Sequence, residues 1–306
     1  MIKIQGHRGY PDAYPENTMP SFIATYETGA FGFEMDVRIT ADGEYAIIHD
    51  ETLDRTTNGT GTVKFVNYYG YIDTLDAGSW FSPVFTGVKI PTLDDVLNEF
   101  KDKNVKLILN FYFTGSSKTS DIHGAIDKVV SKGMTNQVHI FAPPDDINIA
   151  KAYNPNLYTL NGGMATISTY QDILDNAIAN NHNAVSISSN ANDTDATTMI
   201  NDIKSSGKEV HVSYLTSNYE SRVQRFVDFG ADYILGNDPL IMQNYVNSIS
   251  PNDPPPDEEP PDYTKNPASF IVNSEHTINK PYGTLKSDLY VVKSYGFVKG
   301  NQHLTK

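Results

Sequence analysis

The sequence lacks cysteine altogether, which removes several kinds of chemistry from consideration. Without thiols the chain cannot form disulfides, use a cysteine nucleophile or bind a metal through sulfur. Cysteine usage therefore gives no information on the redox compartment. The sequence also lacks any apolar run long enough to cross a bilayer, so we expect no membrane insertion.

Positive charge is scarce as well. Lysine and arginine together number 23 against 37 acidic residues, which gives a formal net charge of −14. A surface this acidic repels polyanions, so the composition argues against nucleic acid and anionic membranes as partners. An enzyme of this charge that acts on an anionic substrate needs a local basic pocket.

Reactive side chains are concentrated in residues 5–50, where three short apolar runs each carry or precede polar groups. The first run, Met1–Gln5, precedes His7 and Arg8. The second run, Phe31–Val37, contains two carboxylates two positions apart. Because side chains alternate along a strand, both carboxylates point to the same face.

The third run, Tyr45–Ile48, is followed directly by His49 and Asp50. Two inward carboxylates are costly unless a cation or an arginine neutralises them, and oxygen ligands suit Mg²⁺ or Ca²⁺. Imidazole titrates near neutrality, so two histidines suggest one general base and one general acid. Together these groups favour a phosphate ester as substrate.

Five blocks in this order resemble the glycerophosphodiester phosphodiesterase family: HRG, PENT, E-x-D, HD with LDRTTNGTG, and PTLDDVL. The resemblance covers roughly residues 1–245 and is more specific than any single motif. It implies a TIM-type (β/α)8 barrel and metal-dependent cleavage of a glycerol phosphodiester. The implied residues are His7 and His49 as the acid/base pair, Arg8 as a phosphate ligand, and Glu34 and Asp36 as metal ligands.

The chain departs from the family pattern on the strand after the PTL block. The family carries a glutamate there, followed two residues later by a lysine, whereas this chain has Asn110 and Tyr112. The glutamate is expected to be the third metal ligand and the lysine to hold phosphate. The carbonyl oxygen of Asn110 can still coordinate Ca²⁺ or Mg²⁺, but it brings no charge, so we expect weaker metal binding.

Two further acids are candidates for supporting roles. Glu16 lies near the start of a helix that Asn17 or Thr18 can cap, so it either complements the helix dipole or lies close to the metal. Asp50 is a candidate to orient the ring of His49. Arg55 remains open between a phosphate ligand and a surface charge. Residues 51–90 form an aromatic-rich insertion after His49, which we expect to cover the barrel mouth, most of its aromatics packing the insertion itself.

Strand and helix patterns alternate after the PTL block, as is typical of a parallel barrel. With the three early runs there are nine strand candidates for eight places. The turn 41–44 is too short for the crossover that parallel neighbours need, so the second and third runs are not parallel neighbours. The later predicted strands are 106–111, 138–141, 157–160, 184–188, 210–214 and 233–235, and the predicted helices are 93–101, 122–130, 147–152, 170–180, 196–205 and 219–229.

The composition predicts three segments. Residues 1–247 form the barrel, and residues 248–262 form a stiff, acidic, proline-rich linker. Residues 263–306 contain six lysines against two acidic residues and are too few for a sizeable core. We expect this C-terminal module to attach to a virion or cell-wall partner, to form a homo-oligomer, or to be partly disordered.

No leader fits before the first strand, and the linker and tail resemble wall-directed proteins of bacteriophage tails and Gram-positive bacteria. Polyglycerolphosphate teichoic acid is therefore one predicted substrate, and phospholipid-derived glycerophosphodiesters are the alternative. The matching location is extracellular, cell-wall-associated or in a virion tail, with the cytoplasm as the alternative. Two other functions stay open: a barrel that binds wall polymer without cutting it, and a structural virion component.

Overall fold

The computed structural model describes residues 1–249, apart from the side chains of residues 163 and 164, and five short strands between residues 278 and 305. Eight parallel strands form a closed barrel, because the first strand pairs with both the second and the last. The predicted TIM-type fold is therefore confirmed. Its strands are β1 (Lys3–Gly6), β2 (Gly32–Ile39), β4 (Lys106–Phe111), β5 (Val138–Ala142), β6 (Tyr158–Ala165), β7 (Ala184–Ser188), β8 (Glu209–Leu215) and β9 (Tyr233–Gly236).

The ninth strand, β3 (Tyr45–Ile47), lies outside this parallel set. It runs antiparallel to β2, with Val37 opposite Ile47 and Ile39 opposite Tyr45. The turn between the two strands is too short for a parallel crossover, which confirms the prediction that they are not parallel neighbours. The doubt over nine candidates for eight places is thereby resolved.

Helices cover the outside of the barrel, and each of the predicted helices is present with slightly shifted ends. A capping box begins the helix of the PTL block: the Thr92 hydroxyl accepts from the Asp95 backbone, and the Asp95 carboxylate accepts from the Thr92 backbone. The helices are α1 (Met19–Glu27), α2 (Leu93–Phe100), α3 (Lys118–Ser131), α4 (Pro144–Tyr153), α5 (Tyr170–Ala179), α6 (Asp193–Ser205), α7 (Tyr219–Asp228) and α8 (Pro239–Ile249).

Apolar side chains fill the space between strands and helices. Phe33 of β2 is fully buried, stacks on Phe22 of α1 and meets Phe100 of α2 edge to face. Truncating a phenylalanine in such a place costs about 3–5 kcal/mol. This packing fixes β2 against two helices, and β2 carries the two carboxylates of the site.

The loop after β1 needs glycine at two positions. A Cβ on Gly6 would lie 2.2 Å from the Gly9 carbonyl oxygen, and one on Gly9 would lie 2.3 Å from the Ser21 hydroxyl. Gly9 also has a φ of +88°, a conformation that disfavours side chains. The close contact with α1 therefore sets the path of the loop that carries His7 and Arg8.

The insertion 51–90 has a small apolar core of its own, to which Leu53, Ile72 and Tyr68 contribute. Three short 3₁₀ turns occur in it, at Val63–Phe65, Ile72–Thr74 and Pro83–Phe85. Tyr69 and Trp80 stay exposed. Tyr68 therefore packs the insertion as expected, whereas Tyr69 and Trp80 do not.

The C-terminal strands pair antiparallel. β10 (Ile278–Lys280), β11 (Gly283–Lys286) and β14 (His303–Thr305) form one sheet, and β12 (Val291–Lys293) and β13 (Gly296–Val298) form another. Residues 250–277, with most of the predicted linker, lie outside the described residues. The division into barrel, linker and module therefore remains a prediction.

Candidate active site

Two buried carboxylates form the centre of the site. Glu34 and Asp36 alternate with apolar residues along β2, and each is only 1% exposed. Burial raises the pKa of Glu34; burial and the neighbouring charge of Glu34 both raise the pKa of Asp36. A positive charge beside these two groups would therefore stabilise their ionised forms.

Arg8 supplies part of that charge. Its backbone is left-handed, with a φ of +54°, and its backbone N–H donates to Glu34 Oε2 at 2.9 Å. Its guanidinium donates to Glu16 at 2.8 Å and lies 3.3 Å from Asp36 Oδ2. A strained backbone at a cluster of charges is typical of functional sites. Arg8, predicted as a phosphate ligand, is thus already engaged with three carboxylates.

Asn17 belongs to the same centre, although the sequence pattern predicted it only as a helix cap. Its side-chain amide donates to Asp36 Oδ2 at 2.6 Å and accepts from the Asp36 backbone at 3.2 Å. Thr18 is the N-cap of α1, but its hydroxyl donates to the Pro15 carbonyl and caps nothing. Thr18 therefore occupies the predicted N-cap position without a side-chain cap hydrogen bond, and the Asn17 amide bonds to the buried carboxylate instead.

Asn110 of β4 lies beside both carboxylates, as the register of β2 with β4 requires. Its amide nitrogen donates to Glu34 Oε1 at 3.1 Å and to Asp36 Oδ1 at 3.4 Å. It also donates to the Tyr112 hydroxyl at 3.2 Å. The amide nitrogen thus bridges the two carboxylates.

His7 follows β1 and packs flat against Tyr214, with ring centroids 4.7 Å apart. Its Nδ1 lies 2.8 Å from Asn237 Oδ1. Since an amide oxygen only accepts, Nδ1 of the neutral ring carries the proton and Nε2 keeps its lone pair. Burial and the charge of Arg8 lower the pKa of His7 to about 4. The ring is therefore neutral at physiological pH.

His49 has a different environment. Its Nδ1 donates to Asp50 Oδ1 at 2.8 Å, and its ring meets Tyr112 edge to face at 5.5 Å. His49 does not follow a strand of the parallel barrel. It follows the antiparallel β3, which runs back along β2, so that the Ile48 backbone donates to the Asp36 carbonyl.

Ion pairs connect the surroundings of the two histidines. Arg55 donates to Glu16 at 2.7 and 2.9 Å and to Asp50 at 2.6 and 2.9 Å. These contacts, with that of His49, hold the pKa of Asp50 below its usual range. Glu16 also accepts from Arg8, so a continuous set of contacts runs from Arg8 to His49.

The residues present fit a hard divalent cation, with one reservation about ligand type. No group of three or more histidine, aspartate or glutamate side chains within the described part of the chain has a metal-binding arrangement. A cation here can take amide oxygens in addition to the two carboxylates. Asn110 can provide one if its side-chain amide turns over, which also removes its N–H donors from the carboxylates.

Three residues of the site were not predicted as such: Asn17, Asn237 and Tyr214. Asn17 lies within the PENT block, and Asn237 directly follows the last strand, so position relative to strand ends could have indicated both. Tyr214 gave no signal, because an aromatic residue on a strand is more often packing than chemistry. Among the described residues, no helix has the length and apolarity needed to span a bilayer.

Comparison with known proteins agrees with this geometry. A sequence profile of the glycerophosphoryl diester phosphodiesterase family matches residues 7–241. A glycerophosphodiester phosphodiesterase of Caldanaerobacter subterraneus subsp. tengcongensis is 48% identical over 101 residues, which are 33% of this chain and 41% of that protein. One of Bacillus subtilis is 42% identical over 107 residues, which are 32% of this chain and 36% of that protein. The chain thus matches well under half the length of these relatives.

Solved structures extend the likeness to the whole barrel. A glycerophosphodiester phosphodiesterase of Agrobacterium tumefaciens is 26% identical with a TM-score of 0.69, covering 80% of this chain and all of that one. An Oleispira antarctica phosphodiesterase is 23% identical with a TM-score of 0.72, covering 80% and 96%, and supports the fold alone. Because the family profile spans most of the barrel, the chain belongs to the glycerophosphoryl diester phosphodiesterase family.

Proposed function

We propose that this chain hydrolyses glycerophosphodiester bonds. The observation that carries the proposal is the position of Asp36. Its carboxylate lies 3.3 Å from the guanidinium of Arg8, which follows His7, and its carbonyl accepts from the backbone of Ile48, which precedes His49. The two carboxylates that favour a cation therefore lie near two histidines that can transfer protons, and cleavage of a phosphodiester requires both kinds of group.

His7 has the properties of a general base. Its pKa is lowered to about 4, and Nδ1–H is held by Asn237, so Nε2 is free to accept a proton. In the reaction, Nε2 takes the proton of the attacking hydroxyl, which is either water or the neighbouring glycerol hydroxyl. The oxygen of that hydroxyl forms a new bond to phosphorus.

His49 is then the general acid. Asp50 accepts from its Nδ1 and compensates the positive charge of the protonated ring. As the phosphorus–oxygen bond to the alcohol breaks, His49 gives its proton to the leaving oxygen. With water the products are a phosphate monoester and an alcohol. With the glycerol hydroxyl a cyclic phosphate forms first, and water opens it.

Glu34, Asp36 and Asn110 are the residues that would hold a divalent cation, Ca²⁺ or Mg²⁺. When bound, such an ion neutralises charge that develops on the non-bridging phosphate oxygens. The raised pKa values of the two carboxylates support this role, since a cation relieves their repulsion. Arg8 keeps both carboxylates in place and is the proposed contact to phosphate from the His7 side.

For the substrate, we propose polyglycerolphosphate teichoic acid, with phospholipid-derived glycerophosphodiesters as the alternative. The similarity to glycerophosphodiester phosphodiesterases supports the glycerophosphodiester bond, and the proline-rich stretch followed by a lysine-rich tail supports a polymer of a cell wall. The corresponding location is extracellular, at a cell wall or in a virion tail.

A second candidate function is binding of wall polymer without cleavage. The observation that favours it is the Asn110 amide, which donates to both carboxylates and so satisfies them without a cation. A barrel that needs no metal for its stability could keep the polymer-binding surface and lose the chemistry.

The experiment that separates the two uses the full chain. Glycerophosphodiesters and purified polyglycerolphosphate teichoic acid are incubated with wild type and with His7→Ala, with Ca²⁺, Mg²⁺ or EDTA. The hydrolase proposal predicts release of phosphate monoester by wild type, loss of release with EDTA, and loss with His7→Ala. Equal, negligible release by both proteins with every metal, together with cosedimentation with cell walls, would establish the binding function instead.

A further inference from the structure

The site contains three arginines, and two of them are already neutralised. Arg8 contacts Glu16 and Asp36, and Arg55 contacts Glu16 and Asp50. Burial alone would lower the pKa of Arg8, but these carboxylates raise it, and hydrogen bonds to Glu16 and Asp50 raise the pKa of Arg55. Both guanidinium groups are therefore already shared between carboxylates before a substrate binds.

The third arginine, Arg38, has no such partner. Within the described residues, no carboxylate lies within 4.0 Å of its guanidinium, and its one hydrogen bond runs from Nε to the His49 carbonyl at 2.8 Å. Its terminal nitrogens are not among the buried polar atoms that lack partners, so they stay within reach of solvent.

Arg38 is also well placed. It follows Glu34 and Asp36 at alternate positions of β2, so its side chain starts on the same face as the two carboxylates. Its guanidinium lies over the Tyr112 ring at 4.8 Å, and the edge of the same ring meets His49. The Tyr112 backbone donates to the Val37 carbonyl, which fixes the two chains side by side.

We propose that Arg38, supported by Tyr112, is the anchor for the phosphate oxyanion of the substrate on the His49 side of the site. The ligand class is a phosphate monoester or diester, whose paired oxygens match the two terminal N–H groups of a guanidinium. The inference rests on the proposed function, because it assigns the substrate anion of that same site to one residue.

Two contacts hold the Arg38 side chain in position for binding phosphate. The Tyr112 ring holds the guanidinium plane, and the Nε bond to the His49 carbonyl fixes its distance from the acid. Binding an anion there costs little conformational entropy, since the arginine side chain is already ordered. Arg38 is therefore a substrate-binding residue, and its removal should act on binding more than on turnover.

The first test measures binding without turnover. Inorganic phosphate and sn-glycerol 3-phosphate are titrated into wild type, Arg38→Met and Lys106→Met by calorimetry. Lys106 is a matched control, since it also donates to one backbone carbonyl but at the other end of a barrel strand. We expect Arg38→Met to weaken both ligands about 10- to 100-fold, the range of a charged hydrogen bond, and Lys106→Met to leave them unchanged. Equal affinities in all three proteins would overturn the proposal.

The second test moves the charge. Position 112 lies directly beneath the guanidinium, so Tyr112→Lys in the Arg38→Met background returns a cation to the same place. We expect this double variant to recover phosphate binding and KM for a glycerophosphodiester at least partly, while kcat changes less. A lysine at 112 cannot restore the bond to the His49 carbonyl. Absence of any recovery in a folded double variant would therefore show that Arg38 acts by positioning His49.

The two proposals fail in different ways. If wild type binds phosphate through Arg38 but releases no product from any phosphodiester, the anion site is supported and the hydrolase function is contradicted. If wild type hydrolyses glycerophosphodiesters and Arg38→Met retains the wild-type KM, the hydrolase function is supported and the role of Arg38 in phosphate binding is contradicted. Melting temperatures of all variants, measured in parallel, exclude unfolding as the cause.

Discussion

The two ends of the barrel each hold a histidine stacked on a tyrosine, but the charged groups around the two rings differ. At the carboxyl end His7 lies on Tyr214, with centroids 4.7 Å apart, and at the amino end His139 lies on Tyr158, with centroids 3.9 Å apart. Burial is the largest cause that lowers the pKa of each ring, to about 4 for His7 and about 3 for His139.

The surroundings of the two rings differ. Nδ1 of His7 has Asn237 as a partner, whereas Nδ1 of His139 has none among the described residues. Two buried carboxylates lie near His7, while the tyrosine beside His139 pairs with Glu209. A lowered pKa is therefore not enough to identify a catalytic base. The ring must also have an oriented tautomer and charged neighbours that can hold a substrate.

Removing each ring gives the largest expected contrast. We expect His7→Ala to lower kcat/KM about 10²- to 10⁴-fold, the range of a general base, because no other side chain accepts the proton. His139→Ala should leave kcat/KM unchanged and lower the free energy of unfolding by about 2 kcal/mol, because it leaves a cavity. The measurements are steady-state kinetics on a glycerophosphodiester and urea unfolding. Comparable losses of rate in both variants would remove the distinction between the two ends.

Neutralising a carboxylate tests why the catalytic end is charged. Asp36→Asn removes half of a repelling buried pair, so we expect a rate loss of about 10²-fold together with an unchanged or higher melting temperature. Asp146→Asn is the control, since Asp146 is also buried but pairs with Lys118. That variant should keep its rate and lose stability. A lower melting temperature for Asp36→Asn would mean that the carboxylate serves the fold.

Arg55→Met examines the contacts that connect the two histidines. It removes the partner of Glu16 and Asp50, so His49 loses its fixed orientation. We expect a loss of about tenfold in kcat, because a misplaced acid transfers its proton less efficiently. Arg225→Met, which breaks one ion pair with Asp193, serves as the matched control and should retain full activity. An undiminished kcat for Arg55→Met would limit the arginine to a surface role.

The smallest effect is a pH dependence of stability from the amino end. His211, like His139, has its pKa lowered by burial to about 3, from an ordinary value of 6.5. The unfolded chain therefore binds protons first, so stability is complete above pH 6.5 and is lost as pH falls toward 3. His211→Gln should lessen the slope of unfolding free energy against pH by up to about 1.4 kcal/mol per unit. Parallel slopes for variant and wild type between pH 6.5 and 4 would contradict this.

Much of the fold followed from the sequence, because strand and helix periods are local properties. The alternation of strands and helices predicted the barrel, and the short turn 41–44 predicted that the second and third runs are not parallel neighbours. The grouping of Glu34 with Asp36 was predicted for the same reason, since alternation along one strand needs no knowledge of the rest of the chain.

Other features depended on contacts between distant residues. The Asn17 amide bonds to Asp36 across 19 positions, and His7 bonds to Asn237 across 230. The neutralisation of Arg8 and Arg55, and its absence at Arg38, likewise arise from which carboxylates the loops bring near. A sequence shows which groups can ionise, and only their positions in space decide which charges cancel and which remain for a substrate.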